Sequence, residues 1–249
     1  MSVTCDIPGQ PSFCGNITLD AALSNCTSVT IVATTDTQVN GTCLTSVIGT
    51  VYIDNGSGGA PGKLVTVQFP QLTFAGGNFE LWGSPSDDNG IAVLTYVDIH
   101  SLAYVGGEFG IYYSSALTSL TLTALAYVGQ NVFIVQNPAL VSLSLPALTS
   151  VGYALTVQSN SVVTSLGLPV LNTVGWNFYA GENALLSSVL APELFKIECF
   201  NNACNGFPSA VCLCGNTDNV LYSDAILSAA SGQACHVPPN HCGTATTCK

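Results

Sequence analysis

A unit of 23 residues recurs through the middle of this chain, opening at Leu102, Leu125, Leu148 and Leu171 and coming round again at Leu194. The shared frame is L-x-x-V-G-x-x-Φ-x-Φ-x-x-N-x-x-L-x-x-L-x-L-P-x, where Φ is apolar. A fixed period in the twenties means stacked supersecondary units, each burying its apolar face against the next. Two further coils open at Leu44 and Leu72 once insertions at 55–63 (NGSGGAPGK) and 83–90 (GSPSDDNG) are allowed for. A degraded coil at Leu23 brings the total to about eight between residues 23 and 200. Both insertions fall at one corner of the coil, so they are expected to project from one edge of the stack.

Inside a coil the apolar residues alternate over short stretches, as in Val132 and Ile134, and Gly, Asn and Pro punctuate them. That pattern predicts strands and turns, with no stretch long enough for a helix. The expected fold is therefore all-β, a parallel solenoid with coils about 4.8 Å apart. Gly76, Gly106, Gly129, Gly152 and Gly175 share one position, which predicts a corner with positive φ or tight backbone approach. Asn137, Asn160 and Asn183 share another, where an inward amide can satisfy backbone groups that a turn leaves unpaired. Pro70, Pro146, Pro169 and Pro192 mark a third corner, and His100 falls at the same place, as a turn residue.

The chain has 249 residues, 48% of them hydrophobic and only 7% charged, with a net charge of −11. Lys63, Lys196 and Lys249 are the only basic residues besides histidine, which argues against nucleic acid or an anionic membrane as partner. No membrane-spanning apolar run occurs, and MSVTCDIPGQ does not read as a signal peptide, as expected of a mature or recombinant segment. The 11 cysteines lie only at the two ends. Cys5, Cys14, Cys26 and Cys43 precede the regular coils; Cys199, Cys204, Cys212, Cys214, Cys235, Cys242 and Cys248 follow them. Solenoid ends expose apolar core and open strand edges, so cystine caps are expected there in an oxidising compartment. The cluster Cys235-His236 and His241-Cys242 has the donors for a zinc site but not a familiar spacing, so disulfides are the preferred reading and no metal or cofactor is expected. Sequons at Asn16, Asn25, Asn40 and Asn55 add a signal for N-glycosylation and secretion. The expected organisation is an N-terminal cap and irregular coil at 1–43, a solenoid at 44–200 and a cysteine-rich cap at 201–249.

The run L-P-A-L-T-S-V-G-x-x-L-x-V-x-x-N, from Leu145 to Asn160, resembles the receptor L-domain repeat, a cystine-flanked relative of the leucine-rich repeat. The resemblance covers 44–200 well and 23–43 loosely. It implies a right-handed β-solenoid with an extracellular binding or scaffolding role, and it carries no catalytic residues.

Two outward faces are candidates for contact with a partner. Tyr52, Trp82, Tyr112, Tyr113, Phe133 and Tyr179 fall between or beyond the inward Φ pair, as an aromatic face suited to glycan or protein. Asp54 and Glu80 flank it. Ser119, Thr121, Ser142, Ser144 and Ser165 form a hydroxyl face that could order ice. The acids are scattered and no nucleophile–histidine pair is apparent, so catalysis is not expected. The leading expectation is a secreted structural or adhesive solenoid of a cell surface, wall or extracellular assembly. An odd cysteine count leaves one thiol available for a bond to another chain, whether another copy or a different extracellular protein.

Overall fold

The computed structural model describes residues 2–6, 28–32, 38–41, 44–55, 63–83, 94–197, 211–212 and 221–222. Over these residues the protein is an all-β parallel solenoid: each coil gives up to three short strands, and like strands of successive coils pair side by side. One side is a nine-stranded sheet. It begins with Ser2–Asp6 antiparallel to Ser28–Val32 and continues in parallel through Val51–Asp54, Phe79–Trp82, Phe109–Tyr112, Val132–Val135, Leu155–Gln158 and Phe178–Gly181 to Val211–Cys212. A second side is a seven-stranded sheet of two-residue strands, from Ser46–Val47 to Lys196–Ile197.

The third side is two separate sheets rather than one. Gln38–Asn40, Thr66–Gln68, Tyr96–Asp98 and Ser119–Thr121 form the first; Leu143–Ser144, Ser165–Gly167, Ser188–Leu190 and Leu221–Tyr222 form the second. At the break Leu120 is only partly buried, whereas Val67, Val97, Leu143 and Leu166 at its level are buried. Nothing in the local sequence explains this break, since S-L-T-L and S-L-S-L are almost the same.

Leu44, Leu72, Leu102, Leu125, Leu148 and Leu171, the residues that open the coils, have no exposed surface. Burying one such side chain contributes about 2 kcal/mol. Phe79 and Phe109 stack inside the prism with centroids 5.7 Å apart, and Phe69 meets Phe79 edge-on at 6.3 Å. Stacked coils thus place like residue on like residue, so one well-chosen side chain per coil builds a continuous core.

Three kinds of corner close the coil. At the first, the N–H of Leu72 bonds the carbonyl of Phe69 at 3.2 Å, and Leu148 bonds Leu145 in the same way at 3.2 Å. Pro70 and Pro146 take the second place of these turns, where their fixed φ fits. His100 sits there too, its Nδ1 2.8 Å from Asp98 Oδ1. At the second corner the repeated glycines satisfy tight approach, with no positive φ. A Cβ on Gly106, Gly129, Gly152 or Gly175 would lie 2.0–2.1 Å from the carbonyl oxygen of the glycine one coil earlier.

Positive φ appears instead at the third corner, on Tyr113 (54°), Gln136 (56°), Ser159 (55°) and Glu182 (59°). The next residue compensates for that strain. Asn137, Asn160 and Asn183 are fully buried there. Asn160 accepts the Asn137 N–H on Oδ1 at 3.1 Å and donates Nδ2 to the Ile134 carbonyl at 2.8 Å; its own N–H reaches Asn183 Oδ1 at 2.9 Å. Ser114 stands at the Asn position one coil earlier and continues the row, its N–H bonding Asn137 Oδ1 at 3.0 Å. Both insertions leave from this corner: Asn55 and Gly83 precede them, with N–H bonds to Trp82 and Tyr112 carbonyls at 2.8 and 2.7 Å. Residues 56–62 and 84–93 lie outside the described residues.

Strands Val211–Cys212 and Leu221–Tyr222 carry two of the sides past residue 200, so the segment expected as a cap begins with further rungs of the solenoid. Cys5 and Cys212 fall on described backbone; the other cysteines, both sets of cap disulfides, the zinc alternative, Asn16 and Asn25 lie outside the described residues.

Gly129→Ala and Gly167→Ala separate the two uses of glycine. A Cβ at Gly129 meets backbone at 2.1 Å, whereas at Gly167 the nearest atom is Ser144 Oγ at 3.3 Å. The first change is expected to cost at least about 2 kcal/mol in denaturant titration, and the second to fall within about 1 kcal/mol of neutral. Equal effects would show that the glycine corner does not set the coil spacing.

Candidate functional site

The nine-stranded sheet brings four of the six expected aromatic residues into one cluster. Register places Trp82 opposite Tyr112, and Phe133 opposite Gly110. Trp82 stacks on Tyr112 with centroids 4.3 Å apart and lies 5.8 Å from Tyr113; Tyr112 meets Phe133 at 6.1 Å. Tyr52 and Tyr179 occupy other rungs of the same sheet, opposite Glu80 and Thr156.

Tyr112 lies on the outer face as expected, but its ring is laid flat and covered. It is only 8% exposed, because it folds back over Gly110, whose Cβ would lie 2.2 Å from its ring. Tyr179 covers Gly181 in the same manner, at 2.6 Å. An aromatic ring laid over a strand glycine replaces the packing that the glycine lacks. Cross-strand stacking of this kind takes up ring faces that a sugar would need.

Glu80, which flanks the face, and two further acids, Glu108 and Glu182, are tied into the same framework. Glu80 accepts from Asn78 Nδ2 at 2.7 Å and from Trp82 Nε1 at 2.9 Å. Glu108 accepts from the Tyr112 hydroxyl and from Asn131 Nδ2, the latter at 3.3 Å. Glu182 accepts from Gln158 and Ser159 of the preceding coil, both at 2.9 Å. These carboxylates act as rungs between and within coils. Among the described residues no three His, Cys, Asp or Glu are grouped to hold a metal ion.

The hydroxyl face is divided by the break in the third side. Ser119 and Thr121 belong to the first sheet and Ser144 and Ser165 to the second, while Ser142 lies outside the strands. Opposite Ser144 stands Gly167 and then Leu190, 52% exposed. The row is thus interrupted at Gly167 and Leu190, as the sequence indicates, and divided again where the third side splits into two sheets. Other hydroxyls bond down the stack: Thr73, Thr118, Thr149 and Ser187 each donate to a carbonyl of the coil before, at 2.9–3.1 Å.

Asn55 also departs from its expected role. Its side chain is 3% exposed and its Oδ1 accepts the Leu64 N–H at 3.1 Å, so the folded corner leaves no room for a glycan. Asn40 is exposed on the outer row of its strand.

Sequence reading overlooked a second aromatic row. Phe74, Tyr104 and Tyr127 share the third position of the frame, and they stack on the seven-stranded sheet with centroids 5.0 Å apart and interplanar angles of 9° and 13°. Each is 37% exposed. Its signal in the sequence is F, Y and Y two residues before the repeated glycine, on a strand of only two residues. A polar ladder was also overlooked: Thr50 Oγ1 accepts from the Asn78 N–H at 3.2 Å, Asn78 Oδ1 from Glu108 N–H at 2.9 Å, and Asn131 Oδ1 from Ala154 N–H at 3.1 Å.

No protein-family model, no curated protein and no solved structure matches this chain. What it does has to be argued from its own geometry.

Two measurements follow. Glycopeptide mapping of protein from a eukaryotic host is expected to find Asn55 unmodified; occupancy there would mean that the corner forms after glycan transfer. Burial and the Glu108 carboxylate raise the Tyr112 hydroxyl far above the ordinary value of 10. A folded-state value raised above the unfolded one gives stability that is whole below the unfolded value and declines as pH rises past it. Tyr112→Phe is therefore expected to reduce the loss of stability above about pH 10, read by denaturant titration across that range. An unchanged alkaline profile would mean that Tyr112 ionises as freely folded as unfolded.

Proposed function

We propose that this chain is a non-catalytic structural or adhesive solenoid of a cell surface, wall or extracellular assembly, akin to the receptor L domains. The observation that carries this reading is the use of its polar chemistry. Carboxylates, amides and hydroxyls that could bind or react are spent on bonds that hold coil to coil: Glu108 with Asn131, Glu182 with Gln158, Asn160 with Asn137. A surface organised in this way supports shape and durability. The cysteines at the two ends, and their odd number, add the oxidising compartment and a covalent link to another chain.

Glycan recognition by the aromatic face is the main alternative. Its best remaining element is Trp82, held rigid by Glu80 and stacked on one side by Tyr112. Ice recognition by the hydroxyl face is weakened by the division of that side into two sheets.

Intact mass of the protein from its natural source, with and without reductant, tests the proposal. A disulfide-linked multimer that collapses on reduction is the expected result. A reduction-insensitive monomer without glycan would overturn the extracellular assembly.

A further inference from the structure

The carboxylates that brace the nine-stranded sheet are fixed there without being neutralised. Glu80 is held by Asn78 Nδ2 and Trp82 Nε1, and Glu108 by the Tyr112 hydroxyl and Asn131 Nδ2. All four donors are uncharged, so their bonds position each carboxylate and leave its charge in place. Both charges bear on one point. After burial, the Tyr112 hydroxyl is raised by its bond to Glu108, by the charge of Glu108 and by the charge of Glu80. Asn78 ties the two acids together, since its amide donates to Glu80 and its Oδ1 accepts the Glu108 N–H at 2.9 Å. Asp54 adds a third acid on the neighbouring rung, opposite Trp82.

The chain has little with which to balance them. Six crossings of this sheet read TVYID, NFELW, EFGIY, NVFIV, ALTVQ and NFYAG, from Thr50 to Gly181, and none contains Lys, Arg or His. Lys196 lies on the seven-stranded sheet, Lys63 beyond the third corner beside Leu64, and His100 at the first corner against Asp98. Lys249 lies outside the described residues. With 14 acids against 3 lysines, a second copy is as poor in cations as the first. Partly exposed rings stand among the acids: Trp82, Tyr113 and Phe133. Rings beside carboxylates favour ammonium and guanidinium groups, through cation–π attraction and charge-assisted hydrogen bonds.

We propose that this part of the nine-stranded sheet is a docking surface for a basic polypeptide segment, held by its lysine or arginine side chains. Asp54, Glu80 and Glu108 belong to three successive rungs, a span of about 10 Å along the stack. Alternate side chains of an extended segment are about 7 Å apart, so one segment meets several acids where a small amine meets one. The contact rests on the adhesive reading above and gives it a partner. It needs no disulfide, so covalent assembly and this docking can fail separately.

Titration calorimetry of the full oxidised chain with a peptide carrying lysine at every second position, at about 0.1 M salt, tests this. The expected result is binding that weakens as salt is raised. Its dissociation constant is expected to rise about tenfold in Phe133→Lys, which sets a cation beside Tyr112, and in Glu80→Gln, which removes one charge. Val141→Lys changes the net charge equally, on the third side at a residue 57% exposed, and is expected to change affinity less than about twofold. Retained β-sheet circular dichroism checks folding; should one face variant fold poorly, the other decides. No binding by the wild-type chain overturns the proposal, even if disulfide-linked multimers form. Affinity untouched in both face variants, or lost equally in Val141→Lys, overturns it too. Equal affinity for lysine amide alone, or for calcium ion, overturns the polypeptide as occupant.

Discussion

Everything in this molecule depends on how closely one coil can settle on the next at the glycine corner. There the backbones meet so tightly that a single methyl carbon would lie about 2 Å from a carbonyl oxygen. That approach fixes the register in which Gly106 sits over Gly76 and Gly129 over Gly106. Once it is fixed, Leu falls on Leu in the core, Asn on Asn at the opposite corner and ring on ring outside. The hydrophobic effect supplies most of the free energy, but it has no direction. Register comes from the backbone contact and from the amide row running through Asn137, Asn160 and Asn183.

The corners divide the conformational work in a way that residue identity alone conceals. Glycine was needed where space was short, and the left-handed conformation went to Tyr113, Gln136, Ser159 and Glu182, ordinary side chains at a position with no shared residue. An L-residue there costs on the order of 1 kcal/mol. The buried Asn that follows satisfies the backbone groups this bend exposes. Strain and its remedy therefore occupy adjacent residues, repeated in successive coils.

Much of this was legible in the sequence. The 23-residue period gave the solenoid, the alternation gave the strands, and the aligned Asn and Pro gave the corners. What periodicity could not show was the choice between the two reasons for a glycine repeated at one position of the coil, because both leave the same letter. Nor could it show that the Tyr112 ring lies flat on the outer face and is covered there: that depends on Gly110, two residues before it, leaving a space that the ring fills. Asn55 matched a glycosylation motif by its letters, yet its amide is used inside the corner to hold Leu64. The division of the hydroxyl side was illegible for a deeper reason, since the sequence on either side of the break follows the same frame.

That break has a consequence for the molecule as a mechanical object. In a stack where each coil touches only its neighbours, the whole is no stronger than its poorest junction. Between the coils that open at Leu102 and Leu125 one of the three ladders is missing, and the other two alone carry the load. Leu120 is left partly uncovered there. When the rod is pulled from its ends, this seam is held by two ladders and by the glycine and amide rows that cross it, Gly129 on Gly106 and Ser114 on Asn137.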